Sequence, residues 1–465
     1  MGMRRPEIAI VGGGPSGFFA AEALLKSDVD ARVAMFERLP TPYGLVRSGV
    51  APDHQHIKQV VKVFEGIASH PRFDFFGNIE IGIDIAIDEL RHQYDAIILT
   101  YGASAGTGLS IRGCELPQNL TATDFVGWYN GHPDFVAVEP SLDHETAVVI
   151  GNGNVAIDIA RILLSDHARL AKTDMADHAL EALRQSRVRQ LHIVGRRGLL
   201  QASFTTAELR ELLGLQGVRV VVDPKAMDLD DTDRAYLELP ANAVKLRNFN
   251  AVKDAMHRSD EPASKELRLH FLASPVEIDG TDRVAGVRFV RNRPERAVGT
   301  QMAISGHEHF SLQAGLVVAG IGFRGQPMRG VPFDEKRGVV PNLEGRVIGA
   351  LERGAPLYVA GWIKRGASGI IGTNRADAAE TVRAMLADFR DGRWPARTGV
   401  TQPNPSLRNA VDFAGWKRID ESERNAGQNI GRPRRKVVTV KEMIRISEQK
   451  AVREEGQFQR SLPNL

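Results

Sequence analysis

At 465 residues the chain is too long for one hydrophobic core, so two or three domains are expected. With 43% hydrophobic and 25% charged residues and a net charge of +3, the composition is globular and implies no strong field for nucleic acid or an anionic membrane. The single cysteine, Cys114, excludes an intrachain disulfide, a cysteine-ligated metal centre and a redox-active cysteine pair; it reads as an ordinary small apolar side chain, and no metal site is expected.

The chain opens Met1-Gly2-Met3-Arg4-Arg5-Pro6 and runs at once into Glu7-Ile8-Ala9-Ile10-Val11. That apolar stretch leads into a glycine turn, and Arg4-Arg5 lacks the apolar region a twin-arginine signal needs. No stretch approaches a membrane span, so the cytoplasm is the expected setting. Ile8 to Val11 reads as a buried strand, Gly12-Gly13-Gly14-Pro15-Ser16-Gly17 as a turn, Phe18 to Lys26 as a helix, and Arg32 to Phe36 as a second strand ending at Glu37. Together they form one βαβ unit of about 30 residues. A Pro/Gly-rich loop, Pro40 to Arg47, follows, and Tyr94 to Ala103 reads as the last strand of the first half-domain running into a loop.

A second βαβ unit opens at Ala147 to Ile150 and continues through Gly151-Asn152-Gly153-Asn154-Val155-Ala156 into a helix over Ile157 to Leu164. After a charged insertion of about 20 residues, Leu191 to Val194 is its next strand, ending Gly195-Arg196-Arg197. Leu316 to Phe323 reads as a closing strand, Leu357 to Trp362 as one more buried strand, and a helix is expected from about Arg375. The simplest architecture is α/β with two nested Rossmann-like domains, three-layered and glutathione-reductase-like. Residues 1–105 and 326–465, with the C-terminal tail, would form the outer domain and 106–325 the inserted one. Arg432, Arg434, Arg435 and Lys436 read as a solvated tail segment.

Gly12, Gly14 and Gly17 match G-x-G-x-x-G: a tight turn, a close approach to pyrophosphate, and close helix–strand packing. The helix N-terminus behind them favours negative charge. Glu37 stands where an acid accepts hydrogen bonds from a ribose diol, as the AMP half of FAD requires. In the second fingerprint Ala156 replaces the third glycine, and Arg196-Arg197 stand where the first unit has Glu37. An arginine pair there suits a ribose 2′-phosphate, and so NADPH. Two dinucleotides imply an electron relay, and without a cysteine pair the electrons must leave the chain. Trp362 and Gly369 are placed to cover a flavin, and Ile371-Gly372-Thr373-Asn374 supplies a helix N-terminus that favours negative charge on it. On these residues alone His54 reads as an ordinary loop histidine, and Glu208 and Glu211 as a solvated helix face.

The run Pro42 to His54, Gly151 to Ala156 with Asp158, Val194 to Arg197 and Gly361-Trp362-Ile363-Lys364-Arg365-Gly366 resemble the adrenodoxin reductase family, which includes bacterial ferredoxin–NADP⁺ reductases. The likeness extends to the tail, through Asp412 to Trp416 and Gly431-Arg432-Pro433. It implies FAD held by Ser16, Glu37, Leu45, Ile81, Trp362 and Gly369-Ile370-Ile371. It implies NADPH held by Asn152, Gly153, Asn154, Val155, Ala156, Arg196, Arg197, Glu208 and Gly369. It raises His54 and Glu211 to participants beside flavin and nicotinamide, gives Asp158 as the partner of His54 in a proton path, and makes Arg210 a basic contact for an acidic iron–sulfur protein. One departure is Ala367-Ser368, where the family usually has a proline, which bears on loop stiffness. The implied reaction is ferredoxin–NADP⁺ reduction. A glutamate-synthase-type flavoprotein subunit is the alternative enzyme, although the cysteine-rich region of that type is missing. A redox-sensing FAD/NADPH-binding protein is the alternative outside catalysis.

Overall fold

The computed structural model describes residues 5–257, 262–297, 300–350, 354–395, 407 and 409–449. The outer unit opens with β1 (Glu7–Val11), β2 (Arg32–Glu37), β3 (Phe73–Gly77) and β4 (Ala96–Leu99), and the short β5 (Ala105–Gly106) follows on the segment that leaves it. Next come β6 (Asn119–Thr121), β7 (Thr146–Ile150), β8 (Gln190–Val194), β9 (Val218–Val222) and β10 (Lys265–His270). The long strands β11 (Ala273–Gly280), β12 (Val284–Ala297) and β13 (Thr300–Gln313) precede β14 (Leu316–Ala319) and β15 (Phe323–Arg324). The chain returns to the outer unit with β16 (Asn342–Leu343), β17 (Arg346–Val347) and β18 (Leu357–Val359).

The first sheet has the order β16-β17-β18-β4-β1-β2-β3, and the second β6-β14-β7-β8-β10-β9. All pairs of the second sheet are parallel, as are those among β18, β4, β1, β2 and β3. Because β18 pairs with β4, the strand after the second unit completes the sheet begun before it, so one Rossmann-like unit is inserted into the other. The two crossing segments pair with each other through β5 and β15. Parallel strands covered on both faces are apolar throughout, as Ile8 to Val11 and Leu316 to Ala319 show by being fully buried. In the inserted unit helices cover one face, and the antiparallel meander β11-β12-β13 covers the other through Ile278, Val287 and Phe289. Among the described residues no helix is long and apolar enough to cross a membrane.

The helices start earlier than the sequence reading places them. They run Pro15–Leu25, Asn154–Leu164 and Ile371–Arg390, because residues read as turn supply the first helical turn, with Pro15 at a position that needs no N–H. The charged insertion holds two short helices, His167–Leu170 and Asp177–Arg184.

The basic tail segment is a correction: only Arg435 is largely solvated. Arg432 donates to Thr173 O (2.9 Å) and Asp177 (2.6 Å), and Arg434 to Asp420 (2.7 Å) and Glu423 (3.0 Å). Lys436 is buried, its Nζ donating to Arg47 O, Asn130 O and Asn130 Oδ1, each at 3.1 Å. Arg47 in turn forms a buried pair with Glu423 (2.5 Å) on the Phe413–Gln428 helix. The segment is thus a strap held by charged groups of both units.

Candidate functional site

The first glycine turn shows why each glycine is needed. Gly12 sits at φ +113°, and a Cβ there would lie 2.7 Å from the Thr100 carbonyl. A Cβ on Gly17 would lie 2.2 Å from the Gly12 carbonyl oxygen, so helix and strand are in contact there. Gly14 faces open space and precedes the Pro15–Leu25 helix without a side-chain cap, leaving first-turn N–H groups for an external acceptor. Glu37 accepts from Gly13 N (2.8 Å) and Leu39 N (3.1 Å). Burial pushes its carboxyl up while those two backbone bonds pull it down, with a net rise. An acidic acceptor beside an uncapped helix and an open glycine fits a dinucleotide's ribose and pyrophosphate.

Of the other residues expected around FAD, Ser16 and the Pro42 to Arg47 loop lie at the same turn. Tyr43 N donates to Gly13 O (2.7 Å), laying the Pro42 to Arg47 loop on the glycines, with Leu45 exposed beside them. Ser16 is buried against Gly361, where a Cβ would lie 2.1 Å from the Ser16 Oγ. Ile81 is packed in the core across the sheet. Trp362 Nε1 donates to Ser368 O (3.1 Å), and Arg365 donates to Ser368 Oγ (2.9 Å) and Asn374 (2.8 Å). The turn that lacks proline is therefore held by side-chain bonds. Gly369 is left-handed (φ +81°), Ile370 is exposed at the N-cap of the Ile371–Arg390 helix, and Gly372 faces open space.

In the second turn Gly151 is left-handed (φ +138°), with its would-be Cβ 2.2 Å from the Gly320 carbonyl oxygen. Gly153 precedes the Asn154–Leu164 helix without a side-chain cap, and Ala156 is fully buried. Asn152 O accepts from Ser203 N (2.9 Å), Asn154 Oδ1 accepts from Thr205 N (2.8 Å), and Val155 is half-buried. Arg196 and Arg197 are exposed just past β8, and among the described residues neither forms an ion pair. Asn292 fixes that corner by donating to Arg196 O (2.8 Å). Glu208, on the Thr206–Leu213 helix, keeps one buried oxygen without a hydrogen-bond partner. Two guanidinium groups without an ion pair among the described residues fit the 2′-phosphate of NADPH, while Glu208 stands near Asp158 and Arg161.

Where the units meet, His54, Asp158 and Glu211 come together from the outer-unit loop and two helices of the inserted unit. His54 Nε2 lies 2.8 Å from Glu211 Oε2, and His54 Nδ1 lies 3.9 Å from Asp158 Oδ1. His54 is buried, whereas Glu211 is partly exposed. Burial pushes the Asp158 carboxyl up, His54 draws it back, and Glu208 and Glu211 push it up again, to about 7. A histidine between two carboxylates has the makings of a proton relay. Arg161 and Asp53, which the sequence reading leaves without a role, complete the cluster; the only signal for Arg161 is its place one turn after Asp158. Arg210 is exposed and lines a cavity of about 290 Å³ with Leu213, Arg247, Asn250, Ala251 and Asp254.

Residues 10–78 match the family model for an NAD(P)-binding Rossmann-like domain. The chain is 45% identical over 462 residues to NADPH-ferredoxin reductase FprA of Mycobacterium tuberculosis, covering 96% of this chain and 99% of that one. It is 40% identical to the mitochondrial NADPH:adrenodoxin oxidoreductase of Mus musculus, covering 95% and 92%. The solved structure of Mycobacterium tuberculosis FprA in complex with NADPH superposes with a TM-score of 0.89 at 45% identity, over 96% of this chain and all of that one. With the nested fold and both glycine turns in place, this likeness along nearly the whole length establishes that the chain belongs to the adrenodoxin reductase family.

Proposed function

We propose that the chain is a ferredoxin–NADP⁺ reductase with FAD in the outer unit and NADPH in the inserted one. The observation that carries this is the pair of uncapped glycine turns with opposite charge at the ribose end: Glu37 in one, Arg196 and Arg197 in the other. FAD held there would supply the conversion between two-electron hydride chemistry and one-electron transfer that such a reductase requires.

The chain's own residues bind, orient and handle the proton. Gly12, Gly14, Ser16, Gly17, Glu37, Leu45, Ile81, Trp362, Gly369, Ile370 and Ile371 hold FAD, and the start of the Ile371–Arg390 helix favours negative charge beside it. Asn152 to Ala156, Arg196, Arg197, Glu208 and Gly369 hold NADPH. His54, Asp158 and Glu211 form the proton path, supported by the 2.8 Å contact between His54 and Glu211. Residues 1–105 with 326–465 make the FAD domain and 106–325 the NADP domain. The partner is an acidic ferredoxin that meets the chain at Arg210, and the single cysteine agrees with work in the reducing cytoplasm.

The test is anaerobic stopped-flow mixing of the flavin-loaded protein with NADPH and a [2Fe–2S] ferredoxin. Flavin bleaching followed by ferredoxin reduction is expected, together with cytochrome c reduction that depends on added ferredoxin. Bleaching without onward transfer to any of the host's ferredoxins would overturn the reading.

A further inference from the structure

Among the junction residues without a role so far, Arg161 is the most constrained. It is fully buried on the Asn154–Leu164 helix. Its guanidinium donates to Asp53 Oδ2 in the outer-unit loop and to Asp158 Oδ1 (2.7 Å) one turn back on its own helix. Its Nε has no hydrogen-bond partner and lies 3.9 Å from Glu211 Oε2. Asp53 immediately precedes His54, so one cation ties the histidine's loop to the helix that carries Asp158.

We propose that Arg161 is a positioning residue for the proton step: it clamps the His54 loop onto the Asp158 helix and supplies the buried positive charge that sets how tightly His54, Asp158 and Glu211 hold their proton. The proposal rests on the proton-handling reading of those three residues. A buried guanidinium is costly to desolvate and persists where its hydrogen bonds are met. Here its two terminal nitrogens are met by carboxylates from two units, a bridge suited to the planar fork of a guanidinium.

The groups facing His54 are unbalanced without it. The loop brings Asp53 and His56, whose ring lies 5.8 Å from that of His54. The Asn154–Leu164 helix brings Asp158, and the Thr206–Leu213 helix brings Glu208 and Glu211. The His167–Leu170 helix brings Arg169, 3.4 Å from Asp53 but half exposed. The Ala122–Asn130 helix brings Tyr129, whose hydroxyl burial and Asp158 keep protonated. Loss of Arg161 leaves the carboxylates with only that more exposed arginine, and neighbouring anions make the histidine hold its proton more tightly.

The experiment follows the His54 ring resonance against pH in the oxidised, FAD-bound protein carrying ¹³C-labelled histidine, with His54→Gln to assign the signal. Arg161→Met is expected to raise the His54 titration midpoint by about one pH unit or more. Asp53→Asn, which removes one anion and frees the guanidinium for Asp158, is expected to lower it. Opposite movements support the proposal, since simple loosening does not move the midpoint in two directions. Shifts of the same sign, or none, overturn it. Should Arg161→Met fail to fold, Asp53→Asn decides alone: a midpoint that stays or rises overturns the proposal. The pH profile of flavin reduction by NADPH in His54→Gln separates the two layers. An unchanged profile defeats the proton-path reading and the Arg161 proposal with it, whereas a changed profile beside immobile midpoints defeats only Arg161.

Discussion

Arg196 and Arg197 are exposed, carry no ion pair among the described residues and stand just beyond a parallel strand, whereas Glu37 at the equivalent point of the other unit is bonded to two backbone N–H groups. Free charge at one strand end and an ordered acid at the other suit two adenosine riboses that differ by a 2′-phosphate. Replacing both arginines by alanine is therefore expected to raise the KM for NADPH by about 100-fold, worth about 2.7 kcal/mol, and to change that for NADH only slightly. Steady-state kinetics with both nucleotides checks this, and equal losses would refute the 2′-phosphate assignment. At this scale the glycines and the charges that follow them were legible, because their geometry is set within one βαβ unit. The junction was not. Asp53, His54, Asp158, Arg161 and Glu211 lie far apart in the chain, and only the family resemblance joined three of them.

The strap at residues 432–436 shows the limit of pattern reading for an element. A basic run without apolar periodicity reads as solvated, yet here its charges meet carboxylates and carbonyls contributed from across the chain. At its centre Asp174, buried, accepts from Lys58 (2.7 Å), with Lys436 at 3.7 Å. Burial pushes the Asp174 carboxyl up, but Lys436 and Lys58 pull it down to about 2. A depressed carboxyl stabilises the fold above its unfolded value of about 4 and loses that contribution as pH falls through its folded value. Asp174→Asn removes the buried carboxylate that pairs with Lys58 and faces Lys436, and is expected to cost about 3–5 kcal/mol at pH 7. In urea unfolding the gap from the parent should persist down to about pH 4 and narrow below it. A gap under about 1 kcal/mol at pH 7 would mean that the strap is peripheral to stability. The meander β11-β12-β13 also has no counterpart in the sequence reading, although Val287 and Phe289 are buried on either side of the exposed Arg288, in the alternation of a half-buried strand.

For the whole molecule, nesting was legible because the two fingerprints are interrupted by closing strands in a definite order, and the pairing of β18 with β4 follows from it. Net charge was less informative. A total of +3 over 465 residues steers no partner by itself, so any attraction for an acidic ferredoxin must be local. Arg210 and Arg247, with Asp254, line one cavity on the helices of the inserted unit, where the proposed contact is placed. Arg210 is the neighbour in sequence of Glu211, which reaches His54. Consecutive helical residues point about 100° apart, so one helix turns Glu211 toward the junction and Arg210 toward solvent. On the proposed docking at Arg210, a partner would sit close to the place where the units meet. Such steering acts through water and is screened within about 10 Å at 0.1 M salt. The kcat/KM for ferredoxin is expected to fall about tenfold or more between low salt and about 0.5 M, while reduction of a neutral quinone by the same protein changes far less. Arg210→Ser should flatten the ferredoxin slope without touching the quinone rate. A slope that is steep but unaltered by this substitution would move the docking face elsewhere, and a flat slope in the parent protein would remove electrostatic steering from the mechanism.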